Sequence, residues 1–196
     1  MEIESEARFK NQLKDKVDSK SSIYPIARSL YRKYCNFAGP FHTLPNFIIF
    51  GVSRSGTTSL YQYLSQHPNI EPCAVKETRF FDMYYERGIN WYRMNYPSKW
   101  QKFVFTKLKN KKFLTGEASG AYIENPHASK RIHDLDPNIK LILLIRNPVD
   151  RAFSHYLRKM KNGSEKLSFE EAIEQEKLRI EGEQEKMEKN EKYYSP

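Results

Sequence analysis

Short apolar runs alternate with helical patterns between residues 45 and 163. Phe47-Ile48-Ile49-Phe50 is continuously apolar and ends at Gly51, the pattern of a buried strand. The spacing predicts a helix over 57–66, where Leu60 and Leu64 recur at i, i+4 and His67-Pro68 stops it. Residues 69–72 read as a short extended piece, and 74–82 as a loop or strand with an aromatic end. Residues 88–100 are aromatic-rich and predicted helical in part. A second strand and its turn are predicted over 113–117, and a helix over 126–135 that Asp136-Pro137 ends. Residues 140–146 carry the best strand signal. The run is nearly continuously apolar, as a parallel strand covered on both faces would be. Asn147-Pro148 opens a further helix with proline near its first position, and Asn162-Gly163 closes it. Residues 168–192 predict a long charged helix whose apolar stripe is thin and largely solvated. Strands that alternate with helices predict an α/β fold with a parallel sheet.

The rest of the chain falls around this core. Residues 1–44 are expected to form a polar, then aromatic and basic, lead-in that packs on the edge of the domain. Residues 45–163 form the core, and 164–196 a charged helical segment. With 196 residues, 39% hydrophobic and 14% aromatic, the chain suits one globular domain and is too aromatic for disorder. No run of about 18 apolar residues exists, so no membrane-spanning helix is expected. The first twenty residues are charged and lack an apolar stretch, as in a chain without a secretory signal. The expected location is cytoplasmic, with a Golgi-lumen enzyme whose anchor has been removed as the alternative. Cys35 and Cys73 stand outside any CxxC or Cys/His cluster. They are read as free thiols, and no metal site is expected.

Charge changes the picture further. The net charge is +9, but residues 164–196 hold ten acids against six bases, so the body of the chain is more basic than the total. A basic body implies an anionic partner, which composition alone does not identify.

Two segments give that partner a shape. Gly51-Val52-Ser53-Arg54-Ser55-Gly56-Thr57-Thr58 follows the first strand and opens a helix. A small-residue turn there offers backbone N–H groups and the positive end of the helix dipole to an anion. Ser53, Arg54, Ser55, Gly56, Thr57 and Thr58 are the candidate anion ligands. The spacing matches the phosphate-loop pattern GxxxxGK[ST] except that Thr57 stands in the lysine's place. That absence argues against an ATPase or kinase. An ordinary glycine-containing strand-to-helix turn has the same outline. The second segment runs from Leu144 to Tyr156. A strand delivers Arg146 at its C-terminal end, where ligands bind in open α/β sheets, and Ser154 follows two helical turns on. Together they could grip a phosphate from two sides. Equally, Arg146 could pair with Asp150, and Ser154 could be an exposed helix position.

These segments resemble those of sulfotransferases that use 3′-phosphoadenosine 5′-phosphosulfate (PAPS). FGVSRSGTTSL looks like the family's 5′-phosphosulfate loop. Arg54 falls where the family has its lysine, which stabilises the leaving group. A guanidinium supplies charge there as a planar fork rather than a compact point. Arg146, Pro148, Arg151, Ser154 and Tyr156 match the family's 3′-phosphate motif, R-x-P-x-x-R-x-x-S-x-Y. Lys76-Glu77-Thr78-Arg79-Phe80-Phe81-Asp82 resembles the KE-x-H-FF-D segment of the heparan-sulfate and carbohydrate type. The resemblance gives Glu77 the role of general base, puts Lys76 beside the leaving phosphate and makes Asp82 a supporting group, while Arg79 replaces the family's histidine. On residue type alone, Lys76 and Glu77 read equally as surface charges. Gly116 to Tyr122 resembles the family's GE-x-[ST]-P-x-Y turn, with Ala118 and Gly120 departing from it.

The resemblance implies a P-loop-like three-layer α/β/α fold with a central parallel sheet. It implies transfer of a sulfuryl group from PAPS to a hydroxyl or amine, on a carbohydrate. The other product is adenosine 3′,5′-bisphosphate, and no metal takes part. It covers about residues 45–162, and the family domain normally continues past the last residue here, so a further C-terminal part is expected. Two other readings are a P-loop nucleotide kinase or NTPase and a basic nucleic-acid-binding module. The first lacks its loop lysine. The second has no RNA or DNA motif, and nucleic acid is not expected as a partner.

Overall fold

The computed structural model describes residues 24–189. The lead-in expected over 1–22, Ile23 and the last residues of the predicted C-terminal helix lie outside the described residues.

The strand β1 (Phe47–Gly51) is the centre of a three-stranded parallel sheet. It pairs on one side with β2 (Gly116–Ala118) and on the other with β3 (Lys140–Leu144). The register sets Phe47 beside both Gly116 and Lys140, and Gly51 beside Leu144. Its FIIF run suits a central strand because both faces are covered, and Ile48 and Ile49 are fully buried. Gly51 has φ of +154°, and a Cβ there would drive into the Leu144 carbonyl oxygen. Only glycine lets β1 and β3 close at the end from which the loop over 52–56 departs.

Helices fill the connections. The first, α1 (Tyr24–Ala38), buries Cys35 and packs against the short α3 (Ile89–Arg93). Between β1 and α3 lies α2 (Thr57–Ser65), packed on β1 and β2. After α3 comes α4 (Lys99–Phe103), which widens into a π turn over Val104–Leu108. It starts with a capping box, Gln101 N–H to Ser98 Oγ at 3.1 Å and Ser98 N–H to Gln101 Oε1 at 2.7 Å. Before β3 comes α5 (Ala128–Leu135). After it come α6 (Pro148–Lys161) and α7 (Phe169–Lys189). Asn147 caps α6 by accepting from Val149 N–H at 3.0 Å, Pro148 sits in the first turn, and Gly163 takes a positive φ just past its end. No helix among the described residues is long and apolar enough to cross a membrane.

Two expectations need correction. The second strand was predicted over 113–117, but β2 is only Gly116–Ala118, and Leu114 contributes a lone bridge to Ile70. The third strand was expected to be covered on both faces. Instead Leu141 is 48% and Leu143 50% exposed, while Ile142 and Leu144 pack on the core. Among the described residues β3 is an edge strand covered on one face, and a continuous apolar run cannot by itself distinguish that from full burial. On the thin apolar stripe of α7, Ile173 and Ile180 are exposed, in line with the expected solvation.

Candidate active site

The loop after β1 bends through two residues of positive φ, Arg54 at 74° and Gly56 at 91°. For Arg54 this left-handed backbone is uncommon. Gly56 is the N-cap of α2 and gives it no side-chain cap, so the first-turn N–H groups lack the partner a serine or aspartate would supply. Ser55 Oγ is buried with no hydrogen-bond partner among the described residues. A buried unpaired hydroxyl beside an uncapped helix start is the local chemistry of an anion cradle. Thr57, in the position of a phosphate-loop lysine, is buried, whereas Thr58 is exposed.

The segment that follows β3 meets this loop directly. Arg54 Nε donates to Ser154 Oγ at 3.1 Å, and Arg146 Nη1 donates to the Arg54 carbonyl oxygen at 3.4 Å. Arg146 thus faces the loop and makes no ion pair with Asp150. The sheet explains the meeting: β1 and β3 are parallel neighbours, so the segments after their C-terminal ends leave side by side. A shallow depression of about 230 Å³ opens there, lined by Arg54, Ser154, Leu157, Arg158 and Lys161. Arg158 and Lys161 were not singled out in the sequence, although they lie four and seven residues beyond Ser154, a spacing that shares one helix face. His155 has its pKa lowered by burial, then by the charges of Lys159, Arg151 and Arg54.

The third segment joins the loop from the other side. Lys76 Nζ donates to Thr58 Oγ1 at 2.5 Å and lies 3.2 Å from Glu77 Oε1. Glu77 is half exposed, open to an incoming group. Its backbone is clamped on both flanks. Ala118 N–H donates to the Lys76 carbonyl at 3.1 Å, and Thr78 donates to Glu117 Oε2 through its hydroxyl at 2.6 Å and its N–H at 3.2 Å.

Glu117 is the residue that sequence reasoning passed over. It is fully buried, yet it accepts from Ser119 Oγ at 2.9 Å, Tyr92 at 2.6 Å and Tyr122 at 3.1 Å besides Thr78. Tyr96 donates to Tyr92 behind it at 2.7 Å. Burial still raises the Glu117 pKa against these hydrogen bonds, and it raises those of the three tyrosines, with the Glu117 charge adding to the rise. The sequence signal was present: a lone acid flanked by glycine and small residues in a short strand. Asp82 is also buried, its Oδ2 accepting from Arg79 Nε at 2.6 Å within the same turn. In this structure Asp82 is thus engaged with the residue that stands where the family has histidine.

A family model described as a sulfotransferase domain matches residues 44–190. The membrane-associated sulfotransferase kil1 of Dictyostelium discoideum is 41% identical over 139 residues, covering 68% of this chain and 28% of that protein. The human heparan sulfate glucosamine 3-O-sulfotransferase 6 is 37% identical over 112 residues, 57% of this chain and 30% of that one. The crystal structure of a sulfotransferase from Alicyclobacillus acidocaldarius superposes with a TM-score of 0.54 at 35% identity, over 71% of this chain and 60% of that chain. The chain therefore spans less than a third of these curated relatives. With most of its length inside the matched domain, and with the same P-loop-like α/β fold as a solved sulfotransferase, the chain belongs to the sulfotransferase domain family.

Proposed function

We propose that the chain carries the donor half of an enzyme that moves a sulfuryl group from PAPS to a hydroxyl or amine of a carbohydrate. The observation that carries this reading is the contact of the two anion motifs, Arg54 Nε to Ser154 Oγ at 3.1 Å with Arg146 against the Arg54 carbonyl. A ligand with phosphate at both ends needs two such motifs side by side. Family membership and the heparan sulfate sulfotransferases among its relatives support the sulfuryl chemistry and the carbohydrate acceptor.

The donor supplies an activated sulfuryl group on a phosphate leaving group. The residues of this chain bind, orient and move a proton around it. The amides and hydroxyls of Ser53, Ser55, Gly56, Thr57 and Thr58 hold the 5′ end, with Arg54 adding charge. Arg146 and Ser154 hold the 3′-phosphate, and Arg158 and Lys161 extend the positive surface around it. Glu77 takes the acceptor's proton on its carboxylate. Lys76, set between Thr58 and Glu77, balances negative charge on the departing phosphate side. This reading uses no metal.

Calorimetric titration with adenosine 3′,5′-bisphosphate, beside plain AMP, tests the reading. Binding that requires the 3′-phosphate is expected, and Arg146→Ala should remove that preference. Equal affinity for the two nucleotides in the unaltered chain would overturn the assignment of Arg146 and Ser154.

A further inference from the structure

Outside the donor loops, exposed apolar side chains stand on α1 and on α4, and exposed lysines stand on and after α4. On α1, Ile26, Leu30, Tyr34 and Phe37 follow one another at helical steps, and Phe41 continues the line just past the helix. All are exposed, Phe37 to 76%. Cys35, on another face of the same helix, is buried, so α1 is already docked and this stripe is left over. The end of α1 is tied to the start of α4. His42 forms an antiparallel bridge with Ser98, and Thr43 reaches the Pro97 carbonyl through its N–H at 3.0 Å and its hydroxyl at 2.9 Å. Beyond that tie Trp100, 68% exposed, stacks on the exposed Phe103, and Leu108 is exposed to 71%. Residues 99–112 hold six lysines (Lys99, Lys102, Lys107, Lys109, Lys111 and Lys112) and no acid. Every one of the six is exposed, and none makes an ion pair among the described residues.

We propose that this α1–α4 surface lies on an anionic lipid bilayer, with Trp100, Phe103, Leu108 and Phe37 in the interface and the lysines on the lipid headgroups. Large apolar side chains left in water beside a run of exposed lysines with no acid among them fit a surface that is anionic outside and apolar just beneath. Tryptophan and lysine suit that boundary because each joins an apolar body to a polar tip. A sulfated polysaccharide would answer the lysines. It offers Leu108, Leu30 and Ile26 no hydrocarbon to enter, so the apolar half of the surface favours lipid.

Sedimentation of the whole chain with vesicles tests this, using phosphatidylcholine alone and phosphatidylcholine with phosphatidylserine at about one third. Binding to the anionic vesicles only is expected. Two sets of exposed substitutions, W100A with L108A and K99Q with K102Q and K107Q, should each weaken it at least about tenfold. Brominated lipid should quench the tryptophan fluorescence of the unaltered chain, a reading that needs no variant. Failure to bind anionic vesicles overturns the proposal. So does vesicle binding that survives W100A/L108A, which would assign it to diffuse net charge. Retention on a heparin column through the same lysines without vesicle binding also overturns it, and would give the surface to a polyanionic chain.

Discussion

Thr78 and Glu117, thirty-nine residues apart, meet at 2.6 Å in the fully buried centre of the domain. This contact holds the segment that carries Lys76 and Glu77 onto β2. Glu117→Ala would leave the Thr78 N–H, four side-chain hydroxyls and the volume of the carboxylate unanswered in a dry core. A loss of roughly 3 kcal/mol or more is expected. Glu117→Gln keeps the shape, and the tyrosine hydroxyls can rotate to accept from the amide, so a smaller loss is expected. Urea unfolding of both variants measures the difference. Equal, small losses would mean the hub is not structural.

The same residue sets a pH dependence. Burial raises the folded-state pKa of Glu117 above its ordinary 4.5. Above pH 4.5 the unfolded chain releases a proton that the folded protein still holds. This contribution to stability is therefore complete below 4.5 and lost as pH rises toward the folded-state pKa. Glu117→Gln has no proton to release, so its stability should lack that descent when the two proteins are unfolded at a series of pH values. Parallel curves would show that the carboxyl titrates normally.

Glu77 is expected to act in chemistry and not in donor binding. Glu77→Gln should cut turnover by about a hundredfold or more, the usual size of a lost general base, with adenosine 3′,5′-bisphosphate affinity unchanged. The measurement is single-turnover sulfation of an acceptor sugar by the full-length protein, alongside calorimetry. A parallel fall in affinity would assign Glu77 to the donor site instead.

Arg158 and Lys161 share the depression with Arg54 and Ser154. Replacing both with glutamine should weaken adenosine 3′,5′-bisphosphate binding several-fold, reduce its salt dependence and leave AMP affinity nearly unchanged. Titrations at two salt concentrations separate these effects. An equal loss for AMP would place the pair on the 5′ side.

The two faces of the sheet should answer differently to mutation. Leu141→Gln with Leu143→Gln, both half exposed, should shift stability by no more than about 0.5 kcal/mol each. Ile49→Ala, fully buried in the central strand, should cost about 2 to 5 kcal/mol. Chemical unfolding of the three-variant set checks the contrast, and a costly Leu143 would mean β3 is covered on both faces in solution.

Sequence alone determined what acts within a few residues. The FIIFG run, the glycine turn after it, and the Asn147-Pro148 start and Asn162-Gly163 end of α6 all express local backbone preference, and each fell where predicted. The two strand-to-helix junctions, 51–57 and 144–148, were legible for the same reason. Tertiary structure decided what depends on residues far along the chain. It turned Glu117 from a turn residue into a buried hub, because Thr78, Tyr92, Ser119 and Tyr122 converge on it from four places in the sequence. Pairing of β1 with β3 brought Arg54 onto Ser154 and gathered Arg158 and Lys161 beside them. It also left β3 half bare, because hydrophobic periodicity reports which side chains can be buried, while the neighbouring elements determine which of them are.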